Sequence, residues 1–122
     1  MTKADASDRR KSETRAWFER LQERVIAAVE LLESEAEGPF AEPGTAPGRF
    51  LTKPWARTDH AGGDGGGGRM AILTGRVFEK LAVHTSTVFG TFPPEFAAQI
   101  PGARTDRAFW ASGISLIAHP WN

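Results

Sequence analysis

The segment Gly62-Gly63-Asp64-Gly65-Gly66-Gly67-Gly68-Arg69 runs directly into the apolar segment Met70-Ala71-Ile72-Leu73. Because six of the seven residues 62–68 are glycine, the run has no side chains to pack and a large entropic cost of ordering. Such a run is typical either of a slack hairpin loop or of a loop whose backbone approaches a ligand, and its composition favours neither. The strand-like residues that follow argue against an interdomain linker.

The glycine run does not predict a nucleotide-binding loop. Gly63, Gly65 and Gly68 fit the dinucleotide-binding pattern, but no apolar strand precedes them and a strand rather than a helix follows. The phosphate-binding loop of nucleotide hydrolases needs a lysine and then a serine or threonine where Arg69 and Met70 stand. Both classes of nucleotide site are therefore excluded.

The segment before the glycine run predicts one amphipathic helix. Apolar residues recur at helical spacing from about Ser12 to about Ser34–Gly38, at Trp17, Leu21, Val25, Val29 and Leu32. Residues 1–11 are polar and predict a disordered end. Residues 38–48 are rich in proline and glycine and predict a connector without regular structure.

Extended segments follow the connector. Phe50–Arg57 predicts a short edge strand or an irregular strand because it contains Pro54. Clearer strands are predicted, from their β-branched and apolar residues, at Met70–Leu73, Val77–Phe89 and Ile114–His119. The chain therefore reads as one long helix followed by about three strands.

Composition limits the class of protein. The chain has 122 residues, of which 40% are apolar and 25% charged, and it has no cysteine. These values indicate a soluble cytoplasmic protein without disulfides, secretory signal or membrane span. Residues 48–122 hold eight basic and five acidic residues, a mild excess that suits an anionic partner.

A few polar residues are candidates for a site. His60, His84 and His119 lack the tight spacing of a metal motif. Ser115 and His119 are spaced i, i+4 on one predicted strand, so alternation places them on the same face. Basic residues also surround the glycine run and could bind a carboxylate instead of water: Arg57, Arg69, Arg76 and Lys80.

An ordered set of motifs resembles the aerobic, oxygen-dependent coproporphyrinogen III oxidases, in the form found in bacteria. The resemblance covers about Lys53–Asn122 and follows the order Trp55-x-Arg57, the glycine run with Arg69, Gly75–Lys80, Val83-His84-Thr85-Ser86-Thr87-Val88-x-Gly90, and Phe109-Trp110-Ala111-Ser112-Gly113-Ile114-Ser115-Leu116-Ile117-Ala118-His119-Pro120-x-Asn122. Phe89 stands where many members have histidine, and Asp64 interrupts the glycines.

The resemblance implies an α+β fold with an antiparallel sheet flanked by helices, in a cytoplasmic homodimer. It implies the oxidative decarboxylation of coproporphyrinogen III, a tetrapyrrole tetracarboxylate, to protoporphyrinogen IX during haem biosynthesis. Molecular oxygen is the implied oxidant, and a divalent metal cation is attributed to bacterial members. No flavin, nicotinamide or nucleic acid is implied.

The resemblance also implies roles for individual residues. Ser115 corresponds to a substrate-binding serine and His119 to a metal ligand, and Arg69 is a weaker candidate for binding a propionate. Residues 1–122 would form a single incomplete domain, an N-terminal fragment without catalytic residues, because the family's acid histidine lies beyond Asn122. The fragment alone is expected to be inactive. A second hypothesis remains open at this point: a non-catalytic binding or assembly module with a glycine-rich loop and a mildly basic face.

Overall fold

The structure, a computed structural model, describes residues 2–122. It begins with one long helix, α1, at Lys3–Glu35. The helix starts at Lys3 rather than near Ser12 because Thr2 and Asp5 form a capping box, in which each side chain accepts the backbone N–H of the other residue. The predicted helix start was therefore wrong. The predicted disorder of residues 1–11 stays a prediction, and Met1 lies outside the described residues.

Four antiparallel strands form one sheet in the order β1-β2-β3-β4. Their bounds are Leu51–Thr58 for β1, Asp64–Leu73 for β2, Phe78–Thr91 for β3 and Ala108–Pro120 for β4. The segment at 50–57, which contains Pro54, forms most of the edge strand β1. The sheet therefore has four strands, one more than the three that the sequence predicts clearly. The predicted α+β class, with a helix packed on an antiparallel sheet, is confirmed.

Two short turns complete the fold. Gly38–Phe40 forms one 3-10 turn after α1, and Pro94–Ala97 forms a one-turn helix, α2, between β3 and β4. No helix within residues 2–122 is both long enough and apolar enough to cross a membrane.

Most of the glycine run, Asp64–Gly68, belongs to strand β2, so its prediction as a loop was wrong there, whereas Gly62 and Gly63 lie in the turn between β1 and β2. Gly66, Gly67 and Gly68 pair with Val88, Thr87 and Ser86 of β3. Gly66 has a φ of +92°, which residues with a side chain rarely adopt, and a Cβ there would collide with the carbonyl oxygen of Thr87. Glycine is needed because the backbones of these twisted strands approach closely, a requirement that strand propensities do not describe.

Two polar side chains are buried where α1 meets the sheet. Gln22 is 1% exposed and its amide donates to the carbonyl oxygens of Arg69 and Val83, at 2.9 Å each. Glu33 is fully buried, and its carboxylate accepts four backbone N–H groups, from Gly48, Arg76, Val77 and Phe78. The helix is thus tied to the sheet by hydrogen bonds as well as by apolar packing.

The predicted apolar stripe of α1 is only partly the buried one. Val29 is buried, but Trp17 and Leu32 are 42% and 55% exposed. The face toward the sheet passes through Gln22 and Glu33 instead, because their polar atoms find partners on the backbone of the sheet and of the loops beside it. Val29 forms a small apolar core with Leu73 and Leu81, and half-buried side chains surround it: Val25, Phe50 and Phe78.

Candidate functional site

The sheet has one face against α1 and one face directed away from it. Along β3, Leu81, Val83, Thr85 and Thr87 are buried and lie toward the helix. The residues between them therefore point to the opposite side, which we call the open face. The open face includes Ala82, His84 and Ser86 of β3 and their partners on β4, which are Ile117, Ser115 and Gly113.

Ser115 and His119 both lie on the open face. Ser115 pairs directly with His84, and His119 pairs with Lys80, within one continuous stretch of β4. Both residues are exposed. The spacing in the sequence thus corresponds to two side chains on one side of the same strand, near its carboxyl end.

A row of small residues crosses the open face beside Ser115. Gly68, Ser86 and Gly113 are consecutive partners on β2, β3 and β4. A Cβ at Gly113 would meet no atom within 4 Å, whereas one at Gly68 would collide with the carbonyl oxygen of Thr85 and lie 2.9 Å from Cζ2 of Trp55. The row forms a floor without large side chains. Gly68 and Trp55 also line a cavity between α1 and β2.

Arg69 lies on the other side of the sheet. It pairs with Thr85, which faces the helix, and its guanidinium forms an ion pair with Glu23 of α1. It lines a cavity of about 710 Å³ between α1 and the glycine strand, together with Thr87 and Phe89. The structure therefore brings Ser115 and His119 together on one face but does not bring Arg69 to them.

Two of the other basic candidates, Arg57 and Arg76, have structural partners. Arg57 donates to the carbonyl oxygens of Gly65 and Phe89, at 3.2 and 3.0 Å. Arg76 donates to the carbonyl oxygens of Glu33 and Ser34 at the end of α1. These guanidinium groups hold the backbone together, which explains two of the arginines around the glycine run without a ligand.

The environment of Glu33 makes it an ionised structural carboxylate. Burial raises the pKa of Glu33, but the N–H groups of Gly48, Phe78, Arg76 and Val77 together outweigh it and lower the pKa below its ordinary value of 4.5. A Cβ at Gly75 would collide with this carboxylate. Glu33 is thus committed to the fold and not available for chemistry.

The residues of this chain do not form a metal centre by themselves. Within residues 2–122 there is no group of three or more histidine, cysteine, aspartate or glutamate side chains placed to hold an ion. His119 supplies one imidazole, with Lys80 as its neighbour across the ladder. One exposed imidazole beside a cation does not fit a complete site, since divalent metals in proteins take several ligands.

A family model described as coproporphyrinogen III oxidase matches residues 13–122. The chain belongs to the coproporphyrinogen III oxidase family. The match includes α1 from residue 13 onward, the glycine strand β2, and the strand β4 that carries Ser115 and His119. The resemblance found in the sequence motifs is confirmed.

Similar proteins come from Rickettsia, and each is named oxygen-dependent coproporphyrinogen-III oxidase. The protein of Rickettsia bellii strain RML369-C is 45% identical over 107 residues, which are 87% of this chain and 35% of the relative. The protein of Rickettsia felis is 43% identical over 104 residues, which are 84% of this chain and 34% of the relative. This chain thus spans about a third of the length of these relatives.

The sequence does not predict the position of one residue on the open face. It shows at position 84 only an isolated histidine without metal spacing, yet His84 lies directly opposite Ser115. Its Nδ1 accepts the backbone N–H of Ala71 at 3.3 Å. The signal was present in the alternation of Val83-His84-Thr85, but the partner across the ladder depends on a register that the sequence does not state.

Proposed function

We propose that this chain is part of an oxygen-dependent coproporphyrinogen III oxidase. The reaction converts two propionate side chains of coproporphyrinogen III into vinyl groups, releases carbon dioxide and gives protoporphyrinogen IX for haem biosynthesis. Molecular oxygen accepts the electrons. The single observation that carries the proposal is the family match over residues 13–122, supported by 45% identity to a relative with that name.

The open face is the proposed substrate surface. The row Gly68, Ser86 and Gly113 leaves room for the tetrapyrrole, and Ser115 at its edge has a hydroxyl that can donate to a carboxylate. A tetracarboxylate with a broad carbon skeleton needs both a wide floor and hydrogen-bond donors at the periphery. This surface offers both on the same side of the sheet.

His119 is the proposed contribution of this chain to a divalent metal. A neutral imidazole is a common ligand for such ions, and the residue is exposed at the end of β4. The other ligands would have to come from outside residues 2–122, which contain no group of three candidates. When bound, the metal would supply positive charge beside the carboxylates of the substrate.

Arg69 is a weaker, alternative proposal for binding a propionate, because it requires the substrate to enter the cavity on the helix face. Its side chain is 37% exposed and lines that cavity, but its guanidinium already pairs with Glu23. A propionate would have to replace that carboxylate, so the gain in binding would be smaller than for a free arginine. The proposal therefore requires that removing the charge of Glu23 strengthens substrate binding.

The wider properties of the enzyme are also proposals by family resemblance. We propose a cytoplasmic homodimer that uses neither flavin nor nicotinamide and binds no nucleic acid. The non-catalytic alternative placed the glycine run in a loop. That part of the alternative was wrong for Asp64–Gly68, which belong to strand β2, while Gly62 and Gly63 do lie in a turn. The only remaining observation in favour of this alternative is the mildly basic charge of residues 48–122.

A turnover assay tests the proposal. The full-length protein that contains this chain is incubated with coproporphyrinogen III in air and, separately, under argon, and the tetrapyrroles are oxidised and separated by chromatography. We expect protoporphyrin only in the aerated sample. Absence of product in air, or equal product under argon, would contradict the proposed function.

A further inference from the structure

The pairing between β2 and β3 is interrupted by a gap. The register of the two strands is the same on both sides of this gap. Arg69 pairs with Thr85 and Ile72 pairs with Ala82, but the residues between them do not pair. Two side chains occupy the gap. From the helix face Gln22 donates to the carbonyl oxygen of Val83, and His84 accepts the N–H of Ala71.

The hydrogen bond from Ala71 determines which ring nitrogen of His84 carries the proton. A backbone N–H can only donate, so Nδ1 must be unprotonated to accept it at 3.3 Å. The ring proton of the neutral imidazole is then on Nε2. Because Nδ1 is turned toward β2, Nε2–H points away from Ala71.

Ser115 lies directly across the ladder from His84. The two residues are direct partners across the antiparallel β3–β4 pair, so their Cβ atoms lie about 4.5–5.5 Å apart on the open face. Within residues 2–122, no side-chain hydrogen bond of the structure engages Nε2 of His84 or the hydroxyl of Ser115. His84 is half-buried between its neighbours and Ser115 is exposed.

We propose that His84 is a second substrate-binding residue, which donates from Nε2 to the same carboxylate that Ser115 contacts. Two adjacent donors match the two oxygens of one propionate, and the fixed Nδ1 contact holds the ring so that little rotational freedom is lost on binding. The inference rests on the proposed function and specifies which residues of the open face recognise one propionate of the tetrapyrrole.

Two substitutions separate the two nitrogen atoms of His84. His84→Asn retains an acceptor at the position of Nδ1 and removes the Nε2 donor. His84→Gln retains a donor near the position of Nε2 and removes the acceptor for Ala71. His60→Asn is the matched control, because His60 is exposed in the turn between β1 and β2.

The experiment measures the dissociation constant of coproporphyrin III, the stable oxidised tetracarboxylate, by fluorescence titration of the full-length protein and its variants. Thermal midpoints are recorded in parallel. We expect His84→Asn to bind about ten- to a hundredfold more weakly with a nearly unchanged midpoint, because a charge-assisted hydrogen bond is lost. We expect His84→Gln to bind within about threefold of wild type but to melt earlier.

The outcomes distinguish the inference from the proposed function. If His84→Asn and His60→Asn both bind coproporphyrin III as tightly as the wild type does, the role of His84 is overturned and the oxidase proposal remains intact. No binding by the wild type would overturn the proposed function and this inference with it. If His84→Asn does not fold, near-wild-type affinity of His84→Gln supports the donor role, and a large loss of affinity there overturns it.

Discussion

Replacing Glu33 by glutamine removes the charge from the carboxylate that joins α1 to the sheet. Oε1 accepts the N–H groups of Val77 and Phe78 at 2.9 Å each. Oε2 accepts those of Gly48 and Arg76 at 3.0 and 2.7 Å. A glutamine of the same shape keeps one oxygen, but its NH₂ group faces two N–H donors that it cannot accept.

The expected loss of stability follows from those two donors. Each buried donor left without a partner costs about 1–3 kcal/mol, so the free energy of unfolding should fall by about 2–6 kcal/mol. A loss of that size is a large fraction of the roughly 5–15 kcal/mol that stabilises a typical domain. Urea denaturation of the full-length protein, followed by tryptophan fluorescence, measures the shift in midpoint.

The matched control is Glu35→Gln, an exposed position in the last turn of the same helix. Such a surface change should alter the free energy of unfolding by no more than about 0.5 kcal/mol. A Glu33→Gln variant that is as stable as Glu35→Gln would refute the argument that the carboxylate fixes the helix on the sheet.

The pH dependence gives a second readout of the same site. Because the folded pKa of Glu33 is lowered, its contribution to stability is complete above its ordinary value of 4.5 and is lost as the pH falls through the folded value. The stability difference between wild type and Glu33→Gln should therefore be constant at neutral pH and shrink in that acidic range. A difference that grows as the pH falls would have the wrong sign.

Three further predictions concern the proposed site and are measured on the full-length enzyme. Ser115→Ala should weaken the binding of coproporphyrin III by about 0.5–1.5 kcal/mol, roughly two- to tenfold, with little change in turnover at saturation; unchanged affinity would contradict the contact. His119→Ala should lower both the turnover and the amount of bound metal measured by elemental analysis, since a ligating imidazole has no substitute there. Wild-type turnover and metal content would show that His119 is a structural residue. If the substrate instead enters the cavity on the helix face, Arg69→Ala should weaken binding and Glu23→Gln should strengthen it. If the substrate lies on the open face, both variants should bind with unchanged affinity, because Arg69 and Glu23 then form a simple ion pair between helix and sheet.

The strands and the helix could be predicted from local patterns because those patterns reflect burial. Val77–Phe89 and Ile114–His119 lie within β3 and β4, and their β-branched residues are what such strands require. The glycine strand could not be predicted in this way, since glycine is depleted in strands and its need here arises from close contact with Thr87 across the ladder.

The buried polar contacts could not be predicted from the sequence either. Gln22 and Glu33 interrupt the apolar spacing of α1, and their burial depends on carbonyl and N–H groups of residues that lie 15 to 61 positions further along the chain. For the site, alternation was sufficient to place Ser115 and His119 together. Placing Arg69 on the opposite face and His84 beside Ser115 required the register of three strands.

The central claim is that the tetrapyrrole lies on the face of the sheet away from α1. A crystal structure of the full-length protein with coproporphyrin III would test it directly. We predict the macrocycle over Gly68, Ser86 and Gly113, with a propionate within hydrogen-bond distance of Ser115. A macrocycle bound instead in the cavity between α1 and the glycine strand, against Arg69, would contradict the account.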